Sequence, residues 1–512
     1  MQRVGIIDLG SNSVRLVIVH IYKNKSHNLM YTQKSSLRLG QRINKNGELM
    51  ADAVTDIIDA IEKFHHMCKL FNTSKILGVA TAAIREAKNG DKIVSRIKEK
   101  TGLDINIISG ESEANYGYLG VINTIAENNA ILFDLGGGSL ELVLIRDRQA
   151  ENLLSLNIGT ITMTEKFQTA DQMSSRAFRE LTSHTEQALK KALPWLNNSK
   201  LPIIGIGGTV RNIAKIYQRR INYGYSKLHN YRLTNEQFAE VFNMLRNTNC
   251  EQRKKIPGLS GERADIIMAG VTVINTLLNV TKSKDFIISG CGVREGLFYD
   301  YYLEKLLERP AVMDNILKES VENLLSFSMD RVMHSRRVAD MSEKMFTAWQ
   351  PLHNLGADEA RILYVAATLH DLGISINYYS HAKHSAYLIK NAPLMGITHK
   401  EQIMAALVAN WHNGISAKTQ QESLYKELLN EKDLTVARKL SVILAMAESL
   451  DFTETGAARN IFPGLLPDGR AVLGIAIDEV NHIEIDELYA NLDLFKKELK
   501  TELVVTRATQ TT

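Results

Sequence analysis

Cysteine is scarce in this chain, with three in 512 residues. Cys68, Cys250 and Cys291 fit neither a disulfide framework nor a zinc-site spacing. That excludes the small stapled secreted folds and predicts a reducing, cytoplasmic setting. Long apolar runs are missing too. No stretch reaches the length that spans a bilayer, and the N-terminus enters a strand-like run almost at once, so neither a membrane span nor a signal peptide is expected. An excess of one charge is also absent. The formal net charge of +4 gives no bulk attraction for nucleic acid or other polyanions, so any anion site has to concentrate its basic residues locally. What remains is an ordinary globular composition, 45% hydrophobic and 23% charged. The length is too great for one core and predicts three or four domains.

The most informative stretch is Ile131-Leu132-Phe133-Asp134-Leu135-Gly136-Gly137-Gly138-Ser139-Leu140-Glu141-Leu142-Val143. It reads as strand, tight turn and strand, with a carboxylate at each end of the turn. Consecutive glycines let backbone N–H groups approach a ligand closely, and an anion cradle beside two carboxylates suits a phosphate–metal complex. The same plan occurs at the N-terminus, in Val4-Gly5-Ile6-Ile7-Asp8-Leu9-Gly10-Ser11-Asn12-Ser13-Val14-Arg15-Leu16. Two Asp-Leu-Gly hairpins predict a duplicated domain whose halves face a shared cleft. Two further glycine-rich loops follow strands, Gly205-Ile206-Gly207-Gly208-Thr209 and Ser289-Gly290-Cys291-Gly292-Val293-Arg294-Glu295-Gly296. Four such loops in this order resemble the actin, Hsp70 and sugar-kinase superfamily.

Between the loops the pattern alternates strands and helices, which predicts α/β sheets. Strands are expected at 29–37, 75–80, 104–108, 130–133, 140–145 and 151–157, from about Ile203, and at 286–288. Helices are expected at 51–71, 111–126 and 266–280, and from about Thr209 and Val293. Arg85 lies just past a strand end, from which it can fork a phosphate, although position alone reads more simply as a solvated helix-start arginine. Arg38-Leu39-Gly40 offers a further phosphate contact. Ser109 or Gly110 can cap the helix that carries Glu111 and Glu113, acids that by themselves complement the helix dipole.

Together these segments resemble the exopolyphosphatase/guanosine pentaphosphate phosphohydrolase family. The resemblance rests on Asp8–Ser13, Ala80–Arg85, Ser109-Gly110-Glu111-Ser112-Glu113-Ala114 and Asp134–Glu141, and continues through Gly205–Thr209, Leu228-His229, Pro257–Asp265 and Ser289–Gly296. It implies hydrolysis of a terminal phosphoanhydride, with Glu113 as the catalytic base. Phosphate would be held by Gly10, Ser11, Asn12, Ser13, Arg15, Arg85, Gly136, Gly137, Gly138, Ser139, Gly207, Gly208, Thr209 and Arg263. Asp134 and Glu141, with Asp8 through water, would hold Mg²⁺ (or Mn²⁺). The expected activity is that of an exopolyphosphatase acting on inorganic polyphosphate. The alternatives are a guanosine pentaphosphate 5′-phosphohydrolase and a nucleotide-responsive binding protein that senses guanosine penta- or tetraphosphate. A superfamily kinase is disfavoured, because Ser109–Ala114 supplies a base for water and no sugar-binding motif is seen.

From about Leu306 the pattern turns almost wholly helical. His334, His370-Asp371, His384, His412 and the late acid Glu448 resemble the HD phosphohydrolase superfamily and suit a transition-metal site. One departure is Glu448, where that superfamily usually has aspartate. A last piece reads strand (from about 462), strand (470–477), helix (486–500), strand (502–505). The expected organisation is an actin-like lobe I over 1–125, lobe II over 126–308, a helical HD-like domain over 309–458 and a small α+β domain over 459–512. Neither nucleic acid nor membrane is expected as a partner. The resemblance further implies a homodimer through the helical domains.

Overall fold

The computed structural model describes residues 2–328, 331–415, 425, 427–477 and 483–507. Residues 478–482 and 508–512 of the expected C-terminal domain lie outside the described residues. The chain divides into two compact units, Met1–Ile316 and Leu317–Thr512.

The first unit holds two sheets of one design. In the first, β1 (Gln2–Leu9), β2 (Ser13–Ile21), β3 (His27–Ser36), β4 (Lys75–Ala80) and β5 (Ile105–Ile107) lie in the order β3-β2-β1-β4-β5. The hairpin strands β1–β3 are antiparallel, and β4 and β5 run parallel to β1. In the second, β6 (Ala130–Leu135), β7 (Leu140–Arg146), β8 (Gln149–Leu156), β9 (Ile203–Ile206), β10 (Tyr231–Thr234) and β11 (Asp285–Ile288) lie in the order β10-β11-β9-β6-β7-β8. Its hairpins and parallel pairs repeat those of the first sheet, with β10 added as an antiparallel edge. This is the duplicated actin-like α/β fold. The central strands β1, β2, β6 and β7 are nearly continuous Val, Ile and Leu because both of their faces are covered. The edge strand β3 instead alternates partly buried with exposed residues along much of its length.

The two halves exchange helices. Gly110–Ile122 follows β5 in the chain, yet Leu119, Val121 and Ile122 pack on Leu132, Val143 and Ile204 of the second sheet. Each such buried side chain contributes about 1.5–3 kcal/mol. Val293–Tyr299 follows β11, yet Leu297 and Phe298 pack on Val4, Ile6 and Val79 of the first sheet. The two helices meet at glycines. A Cβ at Gly120 would lie 2.2 Å from the Gly292 carbonyl oxygen, and one at Gly296 would lie 1.8 Å from that of Tyr116. Packing thus sends helix starts from both halves toward one cleft.

The second unit is mostly helical: Val332–Ala348, Ala357–Leu369, His381–Asn391, His399–Trp411 and Glu431–Ser449. A small sheet follows, with β12 (Ala458–Leu465) antiparallel to β13 (Ala471–Ile477) and β14 (Leu503–Arg507) parallel to β13. β12 begins earlier than its sequence suggests. The single helix expected over 486–500 is two, Ile483–Ala490 and Leu492–Leu499. Asn491 separates them, its side-chain amide donating to Glu487 O and Ser449 Oγ. Among the described residues no helix is long and apolar enough to cross a membrane.

Candidate functional site

The two Asp-Leu-Gly hairpins close in the same way. Gly10 N–H donates to Ser13 O (3.2 Å) and Gly136 N–H to Ser139 O (3.0 Å). Their carbonyls are drawn off by neighbouring segments. Leu37 and Arg38 donate to Asn12 O, Gly40 to Ser11 O, and Gly159, Thr160 and Ile161 to the oxygens of Gly138, Gly136 and Gly137. Both loops line one cleft and nearly touch, since a Cβ on Gly137 would lie 3.1 Å from Ser11 Cβ. A side chain at 137 would crowd this approach. At Gly207, where φ is 111°, the backbone itself calls for glycine.

Strand register sets the acids. Asp8 pairs with Arg15 on β1/β2, and at the equivalent position on β6/β7 Asp134 pairs with Glu141. One half therefore presents acid and base, the other two acids. Glu113 enters from the first turn of Gly110–Ile122, whose start is capped by Ser109 Oγ accepting from Ser112 N–H (3.1 Å). Arg85 Nη1 donates both to Glu113 Oε2 (2.9 Å) and to Ile108 O (3.0 Å), which fixes the carboxylate. Burial pushes Glu113 up to about 7, outweighing the lowering pull of Arg85, with Asp134 and Asp8 adding repulsion. Burial likewise raises Asp134 to about 6 and raises Asp8. Glu141 is raised well above its ordinary value by burial and by its acidic neighbours Glu113 and Asp134. It does not line the cleft but stands behind it, accepting from Ser155 Oγ (2.7 Å).

The cations converge as well. Arg15 and Arg263 line the cleft, each lowered to about 10 by burial and by neighbouring arginines. The Arg263 guanidinium lies on the backbone of Gly208, where a Cβ would be 1.9 Å from Cζ. Thr209 is fully buried against Gly270 and takes no place in the lining. Arg38, expected as a further phosphate contact, has its guanidinium on Asp265 instead (2.8 Å). Two lining arginines escaped the sequence reading. Arg211 lies in the first turn after the Gly207-Gly208 loop, and Arg294 follows Gly292-Val293 with its Nε 4.0 Å from Asp8. Their only sequence signal is position, three residues after Gly208 and two after Gly292. Mutual repulsion among Arg15, Arg211 and Arg294 adds to burial in lowering Arg15 and Arg211. Such a basin suits an anionic ligand.

The helical unit has its own cluster. His334, His370, Asp371 and Glu448 bring one ligand atom each within 4.8 Å of one another, and so do Asp371, His381 and His412. Asp371 is shared by both groups. His370 Nε2 lies 2.7 Å and His334 Nε2 3.2 Å from Glu448 Oε2. Asp451 Oδ2 is 2.8 Å from His334 Nδ1 and accepts from Arg337, so it orients the ring from behind. Backbone carbonyls of Ala367 and Ala409 orient His370 and His412 through their Nδ1 atoms. His384, expected in this set, is not in either group. His381, one turn earlier and first in its helix, takes that place at 3.4 Å from Asp371 Oδ1. The helix begins against the turn at Gly373, where a Cβ would lie 2.7 Å from His384 Cβ, so His384 packs on that turn. Spacing alone does not separate two histidines at i and i+3. Asp371 Oδ1 and Glu448 Oε2 are buried without a well-formed hydrogen bond. Burial opposes a proton on His334, but Asp451 and Glu448 outweigh it and raise the group to about 10. That proton supplies the positive charge the acids call for, and a metal ion held by the same residues would supply it instead.

Duplicated lobes, paired phosphate-type loops and a buried carboxylate in the cleft between them define a two-lobed, actin-like enzyme of phosphate chemistry. The sequence comparisons are more particular. The model of the Ppx/GppA phosphatase family matches residues 17–305, and that of Ppx/GppA phosphatase domain III matches 316–461. The chain belongs to the Ppx/GppA phosphatase family. An exopolyphosphatase from Cytophaga hutchinsonii superposes with a TM-score of 0.56 at 22% identity, over 61% of this chain and 100% of that one. A Ppx/GppA family member from Aquifex aeolicus gives 0.52 at 29% identity, over 58% and 96%.

Proposed function

We propose that this chain is an exopolyphosphatase, removing terminal orthophosphate from inorganic polyphosphate with Glu113 as general base. The observation that carries the reading is a buried carboxylate with a proton affinity near neutrality, fixed by Arg85 between two matched phosphate loops. In this reading the terminal phosphoryl group sits on the N–H groups of 11–13 and 137–139. Glu113 orients a water and takes its proton as the water oxygen bonds to phosphorus. The bridging P–O bond breaks, and its electron pair leaves with the shortened chain. Arg15, Arg211, Arg263 and Arg294 offset charge on the terminal and penultimate phosphates.

Asp134, which lines the cleft, would be the direct carboxylate ligand of Mg²⁺, and Glu141, set behind the lining, would support it from there; both are buried acids whose proton affinity rises through burial and like charge. Mg²⁺ retains water and needs only one or two carboxylates. When bound, it neutralises phosphoryl oxygens. Four arginines around one cleft offer more positive charge than a single phosphate group needs, which supports a chain of phosphates over a monoester. Guanosine pentaphosphate shares the bond to be cleaved and remains the alternative. Phosphate release from long-chain polyphosphate and from guanosine pentaphosphate, side by side with Mg²⁺, tests the choice. Polyphosphate is expected to give the higher kcat/KM; preference for the guanosine compound would replace the substrate without moving the site.

The helical cluster is proposed to hold a divalent transition metal through His334, His370, Asp371 and Glu448, with Asp371, His381 and His412 offering a second position. Full-length protein reconstituted with Mn²⁺ is expected to retain at least one equivalent after desalting, and Asp371→Asn to lose most of it. Wild-type protein that retains none overturns this assignment.

A further inference from the structure

The cleft is bridged on one side by a set of charged contacts that the proposed chemistry does not use. Arg38, just beyond β3 of the first half, sends Nη1 to Asp265 Oδ2 (2.8 Å), and its Nη2 reaches Asp265 Oδ1 (3.5 Å) and the carbonyl of Glu262. Four residues earlier, Lys34 Nζ lies 2.6 Å from Glu262 Oε2, and Ser36 Oγ donates to the same oxygen (3.3 Å). Glu262 and Asp265 flank Arg263, the cation that rests on Gly208 in the second half. The other end of the bridge is the first phosphate loop itself. The N–H groups of Leu37 and Arg38 donate to Asn12 O, and that of Gly40 to Ser11 O. Arg38 holds a left-handed backbone, φ 49° and ψ 46°, which is unfavourable for arginine. Its side chain and its main chain therefore serve opposite halves of the site from a conformation that costs energy.

We infer that Arg38 and Asp265 form a latch that sets the separation between the Ser11–Ser13 loop and Arg263, making Arg38 a positioning residue for the phosphate chain. The inference rests on the cleft being the substrate site. Two phosphate-binding halves on separate lobes hold one chain only when their spacing is right, and every fraction of molecules with the wrong spacing raises the apparent dissociation constant in proportion. The latch pair is about one-third exposed, at 37% and 25%, so a lone ion pair there would be weak. The forked guanidinium, the added carbonyl and the second pair at Lys34 make it a network rather than a lone pair.

Arg38→Asn tests this cleanly, because asparagine tolerates the left-handed backbone while losing the bridge. Asp265→Asn cuts the bridge from the other side. Each is expected to raise KM for polyphosphate about fivefold with kcat within about twofold of wild type. The double charge exchange Arg38→Asp with Asp265→Arg is expected to recover most of that loss. Hydrogen exchange in the ligand-free protein gives a readout independent of turnover: amides of 10–13 and 260–264 are expected to exchange faster in both single variants. Wild-type KM and unchanged exchange in both single variants overturn the latch, as does a fall in Tm with KM unchanged. A wild-type protein without phosphate release would instead refute the exopolyphosphatase reading, and the exchange data would still decide the latch.

Discussion

Glu113→Gln is expected to lower turnover on polyphosphate by about a thousandfold and to leave binding of the chain within about threefold, within the span expected for loss of a positioned base. Glutamine keeps the size of the side chain and can still meet Arg85, whose Nη1 lies 2.9 Å from the carboxylate. What it loses is the ability to accept a proton from water. The pH dependence follows from the same group. Burial holds the acid form of Glu113 up to about 7, so the ionised base is the minor species below that value. In the free enzyme kcat/KM should fall about tenfold per pH unit below about 7 and level off above it, and the Gln variant should lose that limb. The sign follows from a raised carboxylate: protonation removes the base. Bound metal and substrate alter the local charge, so the limb in kcat is expected to be displaced from that in kcat/KM. Stopped-flow phosphate release with separate measurement of binding checks both. Turnover of the Gln variant within about tenfold of wild type would remove Glu113 from its role.

Gly159→Ala is the second large effect. Gly159 is not in the cleft, and its own backbone is ordinary extended chain, φ −86° and ψ 161°. The constraint is its neighbour. A Cβ there would lie 2.2 Å from Gly137 O and 2.2 Å from Gly138 C, both backbone atoms of the second phosphate loop. No side chain can swing aside, so the loop must move. A shift of about 1 Å in a phosphate cradle costs about a hundredfold in kcat/KM. The fold should persist, because the displaced atoms sit at the cleft surface rather than in the core formed by Phe133, Leu142 and Met163. Steady-state kinetics with a thermal melt checks this; kcat/KM within about threefold of wild type would mean that the loop does not need its present position.

The architecture was legible because its signals are local. Asp-Leu-Gly between apolar runs announces a hairpin, and its recurrence announces a duplication. Topology then brings the loops together. What was not legible depends on contacts made across the fold. Arg211 and Arg294 look like solvated helix-start arginines until the fold brings both helix starts to the cleft, Arg294 through helix exchange and Arg211 from the loop after β9 of its own sheet. Arg38 looks like a phosphate ligand until Asp265, 227 residues away, claims its guanidinium. β10 is a four-residue edge strand, Tyr231–Thr234, leading straight into a capped helix, so periodicity had nothing to work on. His381 and His384 are equivalent in spacing, and only the packing of Gly373 against their helix tells them apart. Thr209 carries the look of a phosphate-loop hydroxyl, yet Gly270 leaves room for it to turn into the core.

We assign phosphoanhydride hydrolysis to the cleft of the first unit and not to the histidine cluster of the second. The measurement that bears on it most directly is orthophosphate release from long-chain polyphosphate with Mg²⁺, compared between wild type, Glu113→Ala and Asp371→Ala. Release by wild type, near-complete loss in Glu113→Ala and retention in Asp371→Ala are expected. Release that survives Glu113→Ala and disappears with Asp371→Ala would contradict it and move the chemistry to the His334–Asp451 cluster.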